Sequence, residues 1–288
     1  MTMNHVTVPA YAKVNLTLDI TGIREDGYHL LRSIMHETKL CDTLCVEAEN
    51  ADKTEISVYT DKSFIPCDER NTMYKAAAAF CDAVGRPLRI SVRAEKRIPV
   101  GAGLGGGSAD AAAVLKALNG LTNAGLSTDE LCRIGLKVGA DVPFCVVGGT
   151  AIVTGIGEGL EIIPRLPPLP IVICKPGSGA STPVIYREYD NMATKPPHPN
   201  NEAAEDAAKR GDIISLCGYV GNVLTPAASI HRPEIPVIKR ALKECGAVVS
   251  EMSGSGSSVF GVFKTEEKAK TAAETLERKF DTVILTSL

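Results

Sequence analysis

Between Pro99 and Ala112 the chain reads Pro-Val-Gly-Ala-Gly-Leu-Gly-Gly-Gly-Ser-Ala-Asp-Ala-Ala, with five glycines between positions 101 and 107. An alanine-rich stretch follows, with Ala109, Ala112, Ala113, Leu115 and Leu118 in an apolar helical pattern. A loop so poor in side chains leaves its main-chain N–H groups bare. The helix behind it adds further N–H groups and a positive dipole end. Ser108 stands where it would cap that helix, and Asp110 would lie in the first turn, pointing away from any anion. Such a loop favours a multiply charged anion, above all the phosphates of a nucleotide.

Three other uses of a glycine-rich segment fit less well. A Walker loop ends in Gly-Lys-Ser/Thr, whereas this one ends in Gly107-Ser108-Ala109 with no lysine. Gly101, Gly103 and Gly106 match the bare dinucleotide fingerprint. However, Pro99 and the charged run Glu95-Lys96-Arg97 precede it, and the acids at the right distance, Asp129 and Glu130, open a helical pattern. A flexible linker would lead into polar sequence, not an apolar helix.

The remaining composition narrows the class. The chain has 288 residues, 44% of them hydrophobic, enough for one large domain or two compact ones. Its net charge of −3 speaks against a general nucleic-acid binder, so an anion must be held by local features. Nine cysteines, an odd number with no Cys-x-x-Cys pair, read as reduced thiols of a cytoplasmic protein. No apolar run reaches membrane-spanning length.

Residues 6–20 alternate, with Val6, Val8, Ala10, Ala12, Val14, Leu16, Leu18 and Ile20 on one parity. This predicts a half-buried strand, or two strands broken near Pro9, with Lys13, Asn15, Thr17 and Asp19 on the opposite face. Further strands are expected at 31–38, 43–49, 55–60, 88–94, 149–154 and 170–175. Helices are expected at 71–83 with Asn71 as N-cap, then at 108–119 and 127–138. The proline-rich run 164–170 marks a seam, which gives domains 1–165 and 166–288. Beyond it, helices are expected at 182–190, 201–209, 211–218, 234–244 and 265–279, and strands at 247–252, 258–263 and 282–287. Lys195 to Asn201 reads as an exposed loop. Runs of strands followed by helices make the class α+β.

The glycine segment resembles the phosphate loop of the GHMP kinases, the superfamily of galactokinase, homoserine, mevalonate and phosphomevalonate kinases. Pro9-Ala-Tyr-Ala-Lys-Val-Asn-Leu16 and Ser253-Gly-Ser-Gly-Ser-Ser-Val-Phe260 resemble its N-terminal and C-terminal motifs. Arg24-Glu-Asp-Gly-Tyr-His29, Gly139-Ala-Asp-Val-Pro-Phe144 and Gly148-Gly-Thr-Ala151 resemble the branch that acts on 4-diphosphocytidyl-2-C-methyl-D-erythritol. One departure is Asn222-Val-Leu-Thr225, where that branch tends to carry an acid after the leucine.

The resemblance implies a two-domain fold: an N-terminal nucleotide domain, a C-terminal ferredoxin-like domain, and the active site in the cleft between them. It implies transfer of the γ-phosphoryl group of ATP to a hydroxyl of the cytidylated substrate, a step of non-mevalonate isoprenoid synthesis. Asp141 would be the general base and Lys13 its partner. Asp141 in Gly-Ala-Asp-Val-Pro reads as extended, non-helical backbone, and Lys13 as part of the polar strand face. Pro99, Val100, Gly101, Ala102, Gly103, Leu104, Gly105, Gly106, Gly107, Ser108 and Ala109 would hold ATP, with Asn71 and Lys96 on the adenosine side. Ser108 would sit near Mg²⁺ through its hydroxyl.

Tyr28 and His29 would recognise the cytosine, with Thr182, Pro183 and Tyr186 as a second wall and Asn15 near the transfer point. The partner is a small molecule rather than a nucleic acid or membrane, and the chain would be a monomer or homodimer. Two other readings stay open. One is a sister kinase acting on homoserine, mevalonate or a sugar. The other is a catalytically silent nucleotide-binding protein.

Overall fold

The computed structural model describes residues 4–179 and 181–288. In chain order the elements are β1 (Asn4–Ile23), β2 (His29–Asn50), β3 (Glu55–Thr60), α1 (Thr72–Val84), β4 (Leu88–Glu95), α2 (Gly106–Leu121), α3 (Thr128–Leu136), α4 (Val142–Val147), β5 (Thr150–Gly155), β6 (Gly159–Ile163) and β7 (Pro170–Lys175). There follow α5 (Thr182–Asn191), α6 (Asn201–Lys209), α7 (Ile213–Cys217), β8 (Gly221–Asn222), α8 (Thr225–His231), α9 (Glu234–Glu244), β9 (Val249–Met252), β10 (Val259–Val262), α10 (Glu266–Leu276) and β11 (Thr282–Ser287).

Two compact units emerge, and they do not divide at residue 165. Of the described residues, the first comprises 4–12, 40–98 and 105–148, and the second 13–39, 99–104, 149–179 and 181–288. The cut expected at the proline-rich run fails because β1 and β2 are long strands that each contribute to both units. β1 is a single strand of 20 residues and Pro9 does not break it.

In the first unit β4 lies between β3, which it pairs in parallel, and the C-terminal half of β2, which it pairs antiparallel, with Val92 opposite both Val58 and Val46. Leu88, Ile90, Val92 and Ala94 are buried while Arg89, Arg93 and Glu95 are exposed, as period-2 alternation requires. Helices α1, α2 and α4 bury Met73, Phe80, Val114, Leu115, Leu118 and Phe144. Asn71 caps α1 by accepting from the Met73 amide.

The second unit contains a four-stranded antiparallel sheet in the order β11-β7-β10-β9. Numbered within that sheet the order is 4-1-3-2, with helices between the first and second strands and α10 between the third and fourth. This is the ferredoxin-like βαββαβ arrangement that the C-terminal half was expected to form. Val172, Cys174, Ile235, Ile238, Leu242, Met252, Val259, Phe263 and Leu276 form part of its core. In the same unit β5 pairs with the N-terminal half of β2 and with β6, and β8 pairs in parallel with β1. α4, α8, β6 and β8 were not read from the sequence. All four are short, the longest having seven residues, too few to display a period.

The nine cysteines are free thiols. No helix among the described residues is long and apolar enough to cross a membrane.

Candidate active site

Helix α2 begins at Gly106, two residues earlier than its sequence pattern indicates. Its N-cap is Gly105, at φ 70° in the left-handed region where a Cβ is disfavoured, and no side chain caps the helix. Ser108 is therefore the third residue of the helix and not its cap. The first-turn amides, which lack intrahelical acceptors, are left without a side-chain partner at the helix start. That is the local geometry an anion requires.

Asp110, expected in the first turn, is the fifth residue of α2; it faces the interior and is 3% exposed. The Lys96 ammonium donates to both Asp110 Oδ2 and Asp42 Oδ2. Asp42 Oδ1 accepts the main-chain N–H groups of Arg97 and Ile98. One cation cannot neutralise two buried carboxylates. Burial and the neighbouring Asp42 charge push Asp110 up to about 7, against the lowering pull of Lys96. The Lys96 ammonium, expected to reach a base or phosphate, is engaged by these two carboxylates. Asn71 is committed likewise: its Nδ2 donates to the Pro66 carbonyl while Oδ1 caps α1.

Asp141 is half-buried and stands at the N-cap of α4 with φ −84° and ψ −8°. Its backbone is helical, not extended. Pro143 acts at the start of the helix, where its missing N–H costs nothing. Gly139, whose carbonyl accepts the Val142 amide, faces α2, and a Cβ there would sit 3.8 Å from Ser108 Oγ. The first unit thus brings the Asp141 turn beside the N-terminal turn of α2.

In the second unit, Lys13 and Asn15 lie within a stretch of β1 that is buried on both faces from Ala12 to Ile20. The polar face is covered, not solvated. The Lys13 ammonium donates to Asn15 Oδ1 at 2.7 Å, Asn15 Nδ2 donates to Ser33 Oγ at 2.8 Å, and Ser33 Oγ donates to the Thr17 carbonyl at 2.5 Å. A buried ammonium is tolerable only with such partners. Ser33 was not identified from the sequence.

The glycine segment reaches the same strand. Lys13 N–H donates to the Leu104 carbonyl at 3.0 Å. Gly103, at φ 74°, meets the C-terminal glycine turn main chain to main chain, and a Cβ on it would lie 2.0 Å from the Ser253 carbonyl oxygen. A Cβ on Gly179 would lie 2.7 Å from the Gly101 carbonyl oxygen. Two glycine-rich segments converge on the loop 99–104, and only glycines permit the approach.

Also in the second unit, His29 and Tyr186 pack with ring centroids 4.7 Å apart, and His29 Nε2 lies 2.8 Å from Asp190 Oδ1. Tyr28 is 62% exposed in the turn before β2. Thr182 opens α5 and its hydroxyl lies 2.7 Å from Ser255 Oγ, and Pro183 is the next residue of that helix. Asp190 is a further residue the sequence reading missed. Its position four residues after Tyr186, one helical turn on, is the signal that would have found it.

Thr225 stands where the resemblance implied an acid. Its hydroxyl donates to Glu251 Oε1 at 2.7 Å, and Lys239 donates to the same carboxylate at 2.9 Å. Glu251 on β9 therefore brings a carboxylate to this place from elsewhere in the chain. Among the described residues no group of three or more His, Cys, Asp or Glu is placed to hold a metal ion.

The family model described as GHMP kinases N terminal domain matches residues 71–149, and that described as GHMP kinases C terminal matches residues 202–282. A Bacillus pumilus protein named 4-diphosphocytidyl-2-C-methyl-D-erythritol kinase is 44% identical over 261 residues, covering 91% of this chain and 89% of the relative. A Clostridium novyi protein of the same name is 42% identical over 278 residues, covering 96% and 98%. A crystal structure of 4-(cytidine 5'-diphospho)-2C-methyl-D-erythritol kinase superposes with a TM-score of 0.79 at 34% identity, covering 98% of each chain. A homoserine kinase from Cytophaga hutchinsonii superposes with a TM-score of 0.77 at 20% identity, covering 99% of this chain and 96% of the other, a likeness of fold.

Proposed function

The chain belongs to the GHMP kinases and, within them, to the 4-diphosphocytidyl-2-C-methyl-D-erythritol kinase family, and from that premise we propose how its residues carry out the transfer. The reaction moves the γ-phosphoryl group of ATP to a hydroxyl of the methylerythritol part of 4-diphosphocytidyl-2-C-methyl-D-erythritol. Such transfers depend on positioning and charge stabilisation more than on covalent chemistry. The single observation that carries the reading is the uncapped start of α2 behind a glycine at positive φ.

The main-chain N–H groups of Gly101 to Ser108 receive the phosphates, that of Ala109 being committed to the Gly105 carbonyl. The first turn of α2 adds its dipole, and the absence of a Cβ at Gly103 and Gly105 lets oxygen atoms approach the backbone. Ser108 offers a hydroxyl to the Mg²⁺ that accompanies ATP, which would offset phosphate charge and otherwise keep its waters. Asp141 accepts the proton of the substrate hydroxyl, and its carboxylate must come within about 3 Å of that oxygen. Lys13, held through Asn15, favours the developing alkoxide. Asn15 orients the alcohol. His29 and Tyr186 supply an aromatic wall and ring nitrogens for a cytosine, with Tyr28, Thr182 and Pro183 beside them. Asn71 and Lys96 act by shaping the chain around the loop.

A sister reading as a homoserine, mevalonate or sugar kinase leaves the His29–Tyr186–Asp190 group without a purpose, because those substrates carry no base to stack. The experiment is Asp141→Asn. ATP affinity should be unchanged, while turnover should fall by about 100-fold or more, the range of a lost general base. Undiminished turnover in this variant would overturn the assignment.

A further inference from the structure

We propose that Asn222 is a positioning residue for phosphoryl transfer, one that sets the register between the strand bearing Lys13 and Asn15 and the phosphate loop. The inference rests on the reading of the loop given above, and it adds a residue that touches neither substrate.

Asn222 lies on β8, alongside β1, with Leu18 as its partner in the ladder, and the next residue's amide (Val223) donates to the Leu18 carbonyl at 3.0 Å. Its side chain is buried and its hydrogen-bonding pattern fixes the amide orientation. Nδ2 donates to the Met252 carbonyl at 2.9 Å and to the Gly254 carbonyl at 2.8 Å, and Oδ1 accepts from the Leu224 amide at 2.9 Å. The two accepting carbonyls bracket Ser253. Ser253 Oγ in turn donates to the Gly103 carbonyl at 2.9 Å and accepts the Asn15 amide at 3.2 Å. Five residues further on, the other limb of the turn returns to the loop, as the Ser258 amide donates to the Ala102 carbonyl at 3.1 Å.

These contacts close a ring. β1 holds β8, the Asn222 amide holds the 252–254 turn, Ser253 holds Gly103, and Leu104 is held directly by Lys13 N–H. Every joint is main chain or a short side chain, so little slack is available. Removing the Asn222 amide releases two buried carbonyls and frees Ser253 to drift from Gly103. The donor loop and the acceptor strand then lose their common reference, while the groups that contact each substrate remain. Misalignment of that kind lowers the rate of the chemical step more than it weakens binding.

Asn222→Ala, Asn222→Asp (the same shape without the donor) and Ser253→Ala are compared with the wild type. The measurements are steady-state kinetics per folded molecule and hydrogen exchange at the amides that hold the loop, those of Lys13, Asn15 and Ser258. kcat should fall about 10- to 100-fold in each variant with both KM values within about threefold, and exchange at these amides should quicken about tenfold. The double variant should be no slower than the slower single one, since both residues act through one chain of contacts. A kcat within twofold of wild type together with unchanged exchange at these amides would overturn the proposal, as would losses that multiply in the double variant. If Asn222→Ala fails to fold, Ser253→Ala alone decides between these outcomes. The exchange readout needs no substrate, so an inactive wild type would count against the proposed substrate and leave this test intact.

Discussion

Lys96 and Asp110 meet inside the first unit, ammonium to carboxylate, with Asp42 on the other side of the same ammonium. Asp42 also takes the amides of Arg97 and Ile98, and burial together with the Asp42 charge favours a proton on Asp110. The sign of the pH effect follows. Asp110 is raised to about 7 in the folded state, above its unfolded value, so between about pH 4 and 7 the folded chain binds more protons than the unfolded one. Its contribution is fully present below the unfolded pKa and is lost as pH rises through 7. Asp110→Asn should remove that decline: the stability difference between variant and wild type should move in the variant's favour between pH 4 and 7. Denaturant titrations at several pH values measure it, and parallel curves would contradict the assignment.

His36 acts in the opposite sense. Burial, reinforced by Arg165, pulls it from 6.5 down to about 4. Its Nδ1 lies 2.7 Å from Thr150 Oγ1, and Nε2 has no partner. Its folded pKa is depressed, so the neutral form's stability is complete above pH 6.5 and is lost as pH falls toward 4, by about 3 kcal/mol if the unfolded value is ordinary. His36→Gln should flatten the acid limb of the stability curve over that window.

Gly103 and Gly85 both have positive φ, but only Gly103 has backbone where a Cβ would go; Gly85 has nothing within 4 Å. Gly85→Ala should cost about 1–2 kcal/mol of stability from the left-handed conformation alone and leave turnover intact. Gly103→Ala must displace the Ser253 carbonyl, and turnover should fall by about 100-fold or more. Thermal melts and kinetics of the two variants separate conformational strain from the contact.

Thiol reactivity should divide by burial. Cys67 is exposed, whereas burial pushes Cys174 up to about 12 and Cys217 up to about 11. Iodoacetamide at pH 8 should label Cys67 within minutes and should reach Cys174 and Cys217 only after unfolding. Rapid labelling of Cys174 in the native protein would contradict this burial.

Regular alternation and helical spacing made much of the fold legible in the sequence. β4, β7, β11 and α9 run where their apolar patterns place them; β4 and α9 pack one face on a core, while β7 is an apolar run buried on both faces. β1 was read less well. Its alternation is genuine, but both faces are covered, and a pattern of one residue in two cannot reveal that Lys13, Asn15 and Thr17 are also buried. At the candidate site the glycine loop stood out because only backbone demands explain so many glycines. The partners of Asp110, His29 and Ser253 did not, since they arrive from 68, 161 and 150 residues away, at Asp42, Asp190 and Gly103. The helical start at Asp141 was misread because proline excludes helix before it yet suits a first turn.

ADP release, followed with purified protein and ATP, compares 4-diphosphocytidyl-2-C-methyl-D-erythritol with the same methylerythritol alcohol lacking its cytidylyl group, and with homoserine and mevalonate. Robust turnover should occur with the cytidylated alcohol alone. Equal or faster turnover with any of the others, from protein that binds ATP, would contradict the reading of His29 and Tyr186 as a base-recognition wall and of the chain as a kinase for a cytidylated substrate.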